Sequence, residues 1–272
     1  MQTFERDGLT FPVRDSGPPE GAVAVLLHGF PQRADAYDEV VRQLTAEGVR
    51  ALVPTQRGYA ASALPQRRSG YTTAQTTADV VALLDAVGVE RAHLVGHDWG
   101  AAPAWGMGAW NPHRVASLTV LSTPHPAAMG AALHTSTQAL RSWYMAFFQL
   151  PVLPELLLRA TLRRTLIRSG CPAERATRYV EAMAQPGVLS GALGWYRAIP
   201  LSRDVPLREI PVPTTYLWGR QDPFLSRAAA ERTGKYVTAQ YRFVELDEGH
   251  WLPEKQPEQV AQAVLDRVRA AA

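Results

Sequence analysis

The chain has 272 residues, 46% of them hydrophobic and 19% charged, enough apolar surface for a full core, which excludes wholesale disorder. Its 28 basic and 25 acidic residues leave a net charge of +3, too small a surplus to argue for nucleic acid. A single cysteine, Cys171, excludes an internal disulfide framework and a zinc site built on several thiolates.

Residues 1–8 lack the apolar stretch of a secretory signal. The least polar long stretch, 144–158, is interrupted by Gln149, Pro151, Pro154 and Glu155, short of the ~20 apolar residues of a spanning helix. The expectation is a soluble, cytoplasmic protein with no membrane span.

The first predicted strand is Val23–Leu27, and the helix after it, 34–46, places Tyr37, Val40, Val41 and Leu44 on one face. A strand at 51–54 and a helix at 73–87 follow, with Gly88 suited to the helix C-terminus. Strand 92–95 then runs through a turn into a helix from 99 to about 109, and Val115–Leu121 is the next strand. Beyond two more strands, 214–218 and Tyr241–Leu246, the chain closes with a helix at 257–270 that repeats Val260, Val264 and Val268. Short apolar strands alternating with amphipathic helices predict an α/β fold, a mostly parallel sheet covered on both faces. The alternation breaks over 125–205, which reads as helical and is too long for a connecting loop. We read it as a helical cap, with 1–124 and 206–272 forming the core. Six Arg between Arg159 and Arg178 read as a solvated helix face.

The sharpest chemical signal is Val95-Gly96-His97-Asp98-Trp99-Gly100. An apolar strand runs into Gly-x-Asp-x-Gly and a helix, the setting of a nucleophile elbow, where flanking glycines permit a tight turn that lifts the central side chain above the sheet. Here that side chain is a carboxylate, and there is no Gly-x-Ser-x-Gly. A carboxylate nucleophile forms an ester with its substrate. Cleaving that ester requires a base, for which His250 after the last strand is the candidate, and an acid to orient it. Asp222 after the strand at 214–218 is preferred over Asp247 and Asp204. The order nucleophile, acid, histidine is that of α/β-hydrolases. Two backbone N–H groups should hold the oxyanion, that of Trp99 and that of Phe30 in His28-Gly29-Phe30-Pro31. His93 and His97 lie four apart but lack a third ligand, so neither metal nor cofactor is expected.

With these motifs in that order, the chain resembles the α/β-hydrolase-fold epoxide hydrolases from the His28–Pro31 turn to the His250 loop. The resemblance implies that Asp98 opens an epoxide, that His250 and Asp222 hydrolyse the resulting glycol ester, and that two cap tyrosines hold the epoxide oxygen. Trp143-Tyr144-Met145-Ala146-Phe147 and Leu193-Gly194-Trp195-Tyr196-Arg197 look like the two tyrosine segments, giving Tyr144 and Tyr196. An Asn is common where Gly194 stands. The resemblance also implies a cis Phe30–Pro31 bond. The segments Pro54-Thr55-Gln56-Arg57-Gly58-Tyr59 and Ser122-Thr123-Pro124-His125-Pro126 look like the family as well, with no catalytic role assigned.

The expected partner is a small-molecule epoxide, in a mostly apolar pocket lined by His28, Pro31, Phe147, Phe148, Trp195 and Trp251, with Phe30 and Trp99 as further walls. A homodimer is one option for the oligomeric state. Two rival readings use the same fold. Haloalkane dehalogenases usually place Asn or Glu where this chain has Phe30. Fluoroacetate dehalogenases place Arg where it has Trp99 and Pro103. A non-catalytic ligand-binding relative is argued against by the intact Asp98, Asp222, His250 set.

Overall fold

The computed structural model describes residues 1–202 and 209–271. Asp204 and the expected cap–core boundary at 205/206 lie outside the described residues. The sheet has eight strands in the order β1-β2-β4-β3-β5-β6-β7-β8. β1 (Thr3–Arg6) and β2 (Leu9–Ser16) form an antiparallel ribbon on one edge, and β2 also runs antiparallel to β4. From β3 (Val23–Leu27) onward the pairing is parallel, through β4 (Arg50–Pro54), β5 (Ala92–His97), β6 (Val115–Leu121), β7 (Thr214–Gly219) and β8 (Tyr241–Leu246).

Every residue of β3, β5 and β7 is buried, which explains why these strands read as continuous apolar runs. The ribbon escaped the sequence reading because only Phe4, Phe11 and Val13 point inward from it, an alternation broken by Pro12 and the short Asp7–Gly8 turn. β8 is an edge strand with no fully buried residue, so its apolar content exceeds its burial.

The core helices are α1 (Asp38–Ala46), α2 (Thr73–Ala86) and α3 (Ala101–Trp110). The expected helix at 34–46 is interrupted, its first turn being a 3-10 turn at Ala34–Tyr37, and Asp98–Gly100 is likewise a 3-10 turn ahead of α3. Between β6 and β7 come α4 (Pro126–Thr135), α5 (Gln138–Arg141), α6 (Trp143–Phe147), α7 (Leu153–Arg168), α8 (Ala173–Met183) and α9 (Val188–Ala198), with no strand among the described residues there. The chain ends with α10 (Arg227–Arg232), α11 (Leu252–Lys255) and α12 (Pro257–Ala271). Among the described residues no helix is long and apolar enough to cross a membrane.

β3 has β4 on one side and β5 on the other, so the strand order reverses there. In open α/β sheets such a reversal leaves a crevice outside the carboxyl ends of the strands. Leu27 at the end of β3 is in register with Gly96 of β5, which brings the Gly29-Phe30 turn beside Asp98. The Phe30–Pro31 peptide is cis.

Helix α9 docks on the core by close backbone approach. A Cβ on Gly191 would lie 2.5 Å from the Gly58 carbonyl oxygen, and one on Gly58, whose φ is +86°, 2.6 Å from that of Gly191. The Trp195 indole donates to the Arg57 carbonyl at 2.8 Å, and Arg57 is itself clamped by Asp79 through both Nε and Nη2 at 2.6 Å. Arg197 then ties α9 to α7 through a two-pronged pair with Glu155, Nη1 to Oε1 at 2.7 Å and Nη2 to Oε2 at 2.9 Å.

Candidate active site

Asp98 follows β5 directly and has a φ of +50°, a left-handed conformation that is costly for a residue with a side chain. The neighbours make the turn obligatory. A Cβ at Gly96 would sit 2.6 Å from the Gly100 carbonyl oxygen, and one at Gly100 would collide with the end of β3 at Leu27. Gly29 likewise has no room for a side chain because Asp98 occupies that space. The Phe30 N–H donates to Asp98 Oδ1 at 2.7 Å. The Trp99 N–H makes no side-chain hydrogen bond to Asp98 among the described residues. The Trp99 ring packs edge-on against Tyr196 with centroids 4.8 Å apart.

His250 Nε2 lies 3.5 Å from Asp98 Oδ2, and its Nδ1 lies 2.8 Å from Asp222 Oδ2. Asp222 is held by its own loop, its Oδ1 accepting the N–H groups of Phe224 at 2.8 Å and Leu225 at 3.0 Å. Asp247, weighed as an alternative acid, points into solvent and pairs with Arg220 at 2.8 Å. Gly219 at the end of β7 lets the His250 loop approach, since any side chain there would strike the Glu248 and Gly249 carbonyls. Burial alone would push the His250 imidazole down. The charge and hydrogen bond of Asp222, then those of Asp98, more than offset this and carry it up to about 10. For Asp98, burial pushes up, but the His250 contact, the His97 ring and the Phe30 N–H leave the carboxyl below its ordinary value.

Asp98 and His250 open onto a cavity of about 780 Å³. Tyr144 from α6 and Tyr196 from α9 line it on the helical side, their rings edge-on with centroids 6.0 Å apart. Burial, followed by the charges of Asp98 and Asp222, raises the Tyr144 phenol well above its usual range. Burial, then Tyr144 and Asp98, does the same to Tyr196. Both therefore stay protonated at neutral pH. Phe30, Pro31, Phe147, Phe148 and Trp251 are in the cavity wall. His28 and Trp195 are not. His28 is fully buried behind the turn, its Nε2 accepting the Gln56 N–H at 3.2 Å and its ring packed on Tyr59. Trp195 faces the core loop at Arg57 and supports Trp99 from behind, with centroids 5.9 Å apart.

Known proteins are similar to this chain over almost its whole length. The alpha/beta hydrolase fold family matches residues 23–257. The chain is 34% identical to the AB hydrolase superfamily protein YfhM of Bacillus subtilis, over 98% of this chain and 97% of that one. It is 31% identical to epoxide hydrolase A of Mycobacterium tuberculosis, covering 96% and 95% of the two. The crystal structure of epoxide hydrolase A from Mycobacterium thermoresistibile superposes with a TM-score of 0.84 at 28% identity, covering 98% of this chain and 97% of that one. The chain belongs to the α/β-hydrolase family, in its epoxide hydrolase group.

Two features of this α/β-hydrolase were not visible in its sequence. The Tyr71 ring lies over α9, 2.8 Å from where a Cβ on Gly194 would stand, so this chain has no space for the Asn common at that position. Beneath the site runs a buried polar chain. The Gly29 N–H donates to Gln32 Oε1 at 2.8 Å, and Gln32 Nε2 donates to Glu254 Oε1 at 2.8 Å. Tyr179 of α8 donates its hydroxyl to the same Glu254 oxygen at 2.6 Å. His97 bridges Gln32 Oε1 and the His250 carbonyl, 2.8 Å from each, and Ser122 Oγ donates to that carbonyl at 3.0 Å. Ser122 Oγ and His97 Nε2 thus both face the His250 carbonyl. Gln32 lay one residue after the recognised His-Gly-Phe-Pro turn, and His97 lay within the recognised elbow. Nothing local marked Glu254 or Tyr179.

Proposed function

We propose that this protein hydrolyses epoxides to vicinal diols through an ester on Asp98. The observation that carries the reading is a carboxylate facing two phenols across an apolar cavity, the phenols held protonated by burial and by that same carboxylate. The curated relatives named as epoxide hydrolases support it. The segment from α4 to α9 serves as the lid that carries both phenols over the core.

The roles follow from the atoms. Asp98 Oδ1 rests on the Phe30 N–H, so it becomes the ester carbonyl oxygen, and Oδ2 is the nucleophile. Oδ2 forms a bond to a ring carbon, the C–O bond breaks, and Tyr144 or Tyr196 gives its proton to the leaving alkoxide. Such general-acid help is typically worth ~10²–10⁴ in rate. The Asp98 charge is now gone, and with it part of what raised the His250 imidazole. His250 passes its proton through solvent to the tyrosinate and serves as the base. It takes one proton from a water whose oxygen bonds to the Asp98 carboxyl carbon. The oxyanion is held by the Phe30 N–H and, once the carboxyl has pivoted, by that of Trp99. Collapse expels the glycol oxygen, which takes the proton back from His250. The proton left on the Asp98 carboxyl returns to His250, which restores the starting charges.

The test is to separate the halves. His250→Ala mixed with excess styrene oxide should gain one substrate mass, mapped to Asp98, and form no diol. Asp98→Ala should gain nothing. An unmodified Asp98 in the His250→Ala protein, with wild-type turnover intact, would refute the ester.

A further inference from the structure

The outer face of α5, α6 and the first half of α7 is apolar and uncovered. Leu140, Trp143 and Val152 are 76%, 65% and 63% exposed, and Leu153, Leu156 and Leu157 of α7 extend the patch. Contiguous exposed apolar surface rimmed by charge marks an interaction site rather than ordinary surface. On α7 the exposed charge beside the patch is of one sign. Arg159, Arg163, Arg164 and Arg168 occupy the second half of the exposed side of α7, and none forms an ion pair with a carboxylate among the described residues. The acidic residues flanking them in sequence, Glu155 and Glu174, are committed to Arg197 and Arg178. Leu140, Trp143 and Leu157 also line the mouth of the Asp98 cavity, so the cavity opens at this patch.

We propose that this face docks peripherally on an anionic phospholipid bilayer, the apolar tip entering the interface and the Arg row meeting phosphate headgroups. The charge pattern selects this occupant. Exposed Trp and Leu beside unpaired cations match an acyl boundary topped by phosphates. A second copy fits less well, because the same face of a partner offers these Arg no acid, the one carboxylate of α5 to α7 being Glu155, already paired with Arg197. Docking does not depend on the epoxide reading. If both hold, an apolar epoxide dissolved in the bilayer enters the cavity without crossing water.

Sedimentation with vesicles tests this without reference to turnover. At low salt the protein should pellet with phosphatidylcholine vesicles containing phosphatidylglycerol, and at least tenfold less with phosphatidylcholine alone. Raising the salt toward ~1 M, where screening acts within about 3 Å, should release it. Arg164→Gln/Arg168→Gln and, separately, Leu153→Ser/Leu156→Ser should each cut binding several-fold at an unchanged melting temperature. If the apolar variant unfolds, the arginine variant alone carries the test. Failure to pellet with anionic vesicles at low salt, or pelleting that neither variant weakens, overturns the proposal. So does a concentration-dependent dimer, seen by sedimentation velocity, that excludes vesicles.

Discussion

At Asp98 the local sequence and the geometry say the same thing, because a left-handed turn between a strand and a helix requires small residues on both sides and the sequence displays them. The facing direction of a side chain is not written so locally. His28 sits in a recognised motif yet turns back toward Gln56 and Tyr59, and Trp195 sits beside Tyr196 yet faces the core, since neighbours on a helix point about 100° apart. Tyr144→Phe or Tyr196→Phe should each slow alkylation by about 10²-fold, and the double change should nearly abolish it, measured by the quench of intrinsic fluorescence on mixing with epoxide. A double variant with near-normal rates would remove the tyrosines from the mechanism. The pH dependence should split the two half-reactions. Alkylation needs ionised Asp98, whose carboxyl is held below its usual range, so the rate should stay flat from neutral pH down to about pH 4. Ester hydrolysis needs neutral His250. Its imidazole is raised to about 10 while Asp98 is charged and drops once the ester forms, so hydrolysis should rise with pH and level off below 10. Single-turnover rates across pH check both signs.

The sheet was legible where a strand is an apolar run, β8 included although no residue of it is fully buried, and illegible in the weakly alternating ribbon. β3, β5 and β7 announced themselves as apolar runs, while β1 and β2, half-buried at the edge, did not. Pairing between elements was legible only through motif order. The Gln32–Glu254 contact spans 222 residues, and no periodicity encodes such a pair. Its importance is nonetheless testable. Gln32→Leu leaves the Gly29 N–H, Glu254 and His97 without their shared partner. Stranding buried polar groups costs about 1–3 kcal/mol, which urea unfolding should register. Because His97 steadies the His250 carbonyl, hydrolysis of the ester should slow more than its formation. An unchanged unfolding midpoint with both rates intact would reduce the buried chain to packing.

Taken as one molecule, the protein places the groups of its candidate site on segments far apart in sequence and relies on the sheet to gather them. The strand reversal at β3 puts Phe30 and Asp98 side by side, and the ends of β5 and β7 are followed by Asp98 and Asp222, with His250 after β8. The break in alternation after β6 was visible from the lack of strand-like runs over 125–205. How α9 seats on the core through Gly58 and Gly191 was not, because close backbone approach leaves only two glycines as its trace. The central claim, that Asp98 is esterified and water then attacks its carboxyl carbon, is tested most directly by one turnover in water enriched in heavy oxygen, with enzyme in excess over epoxide. The account predicts that the label appears first in the Asp98 carboxylate, found by peptide mapping, while the diol carries an unlabelled oxygen taken from that carboxylate. Label appearing first in the diol, with Asp98 unlabelled, would mean direct attack of water on the ring and would contradict the account.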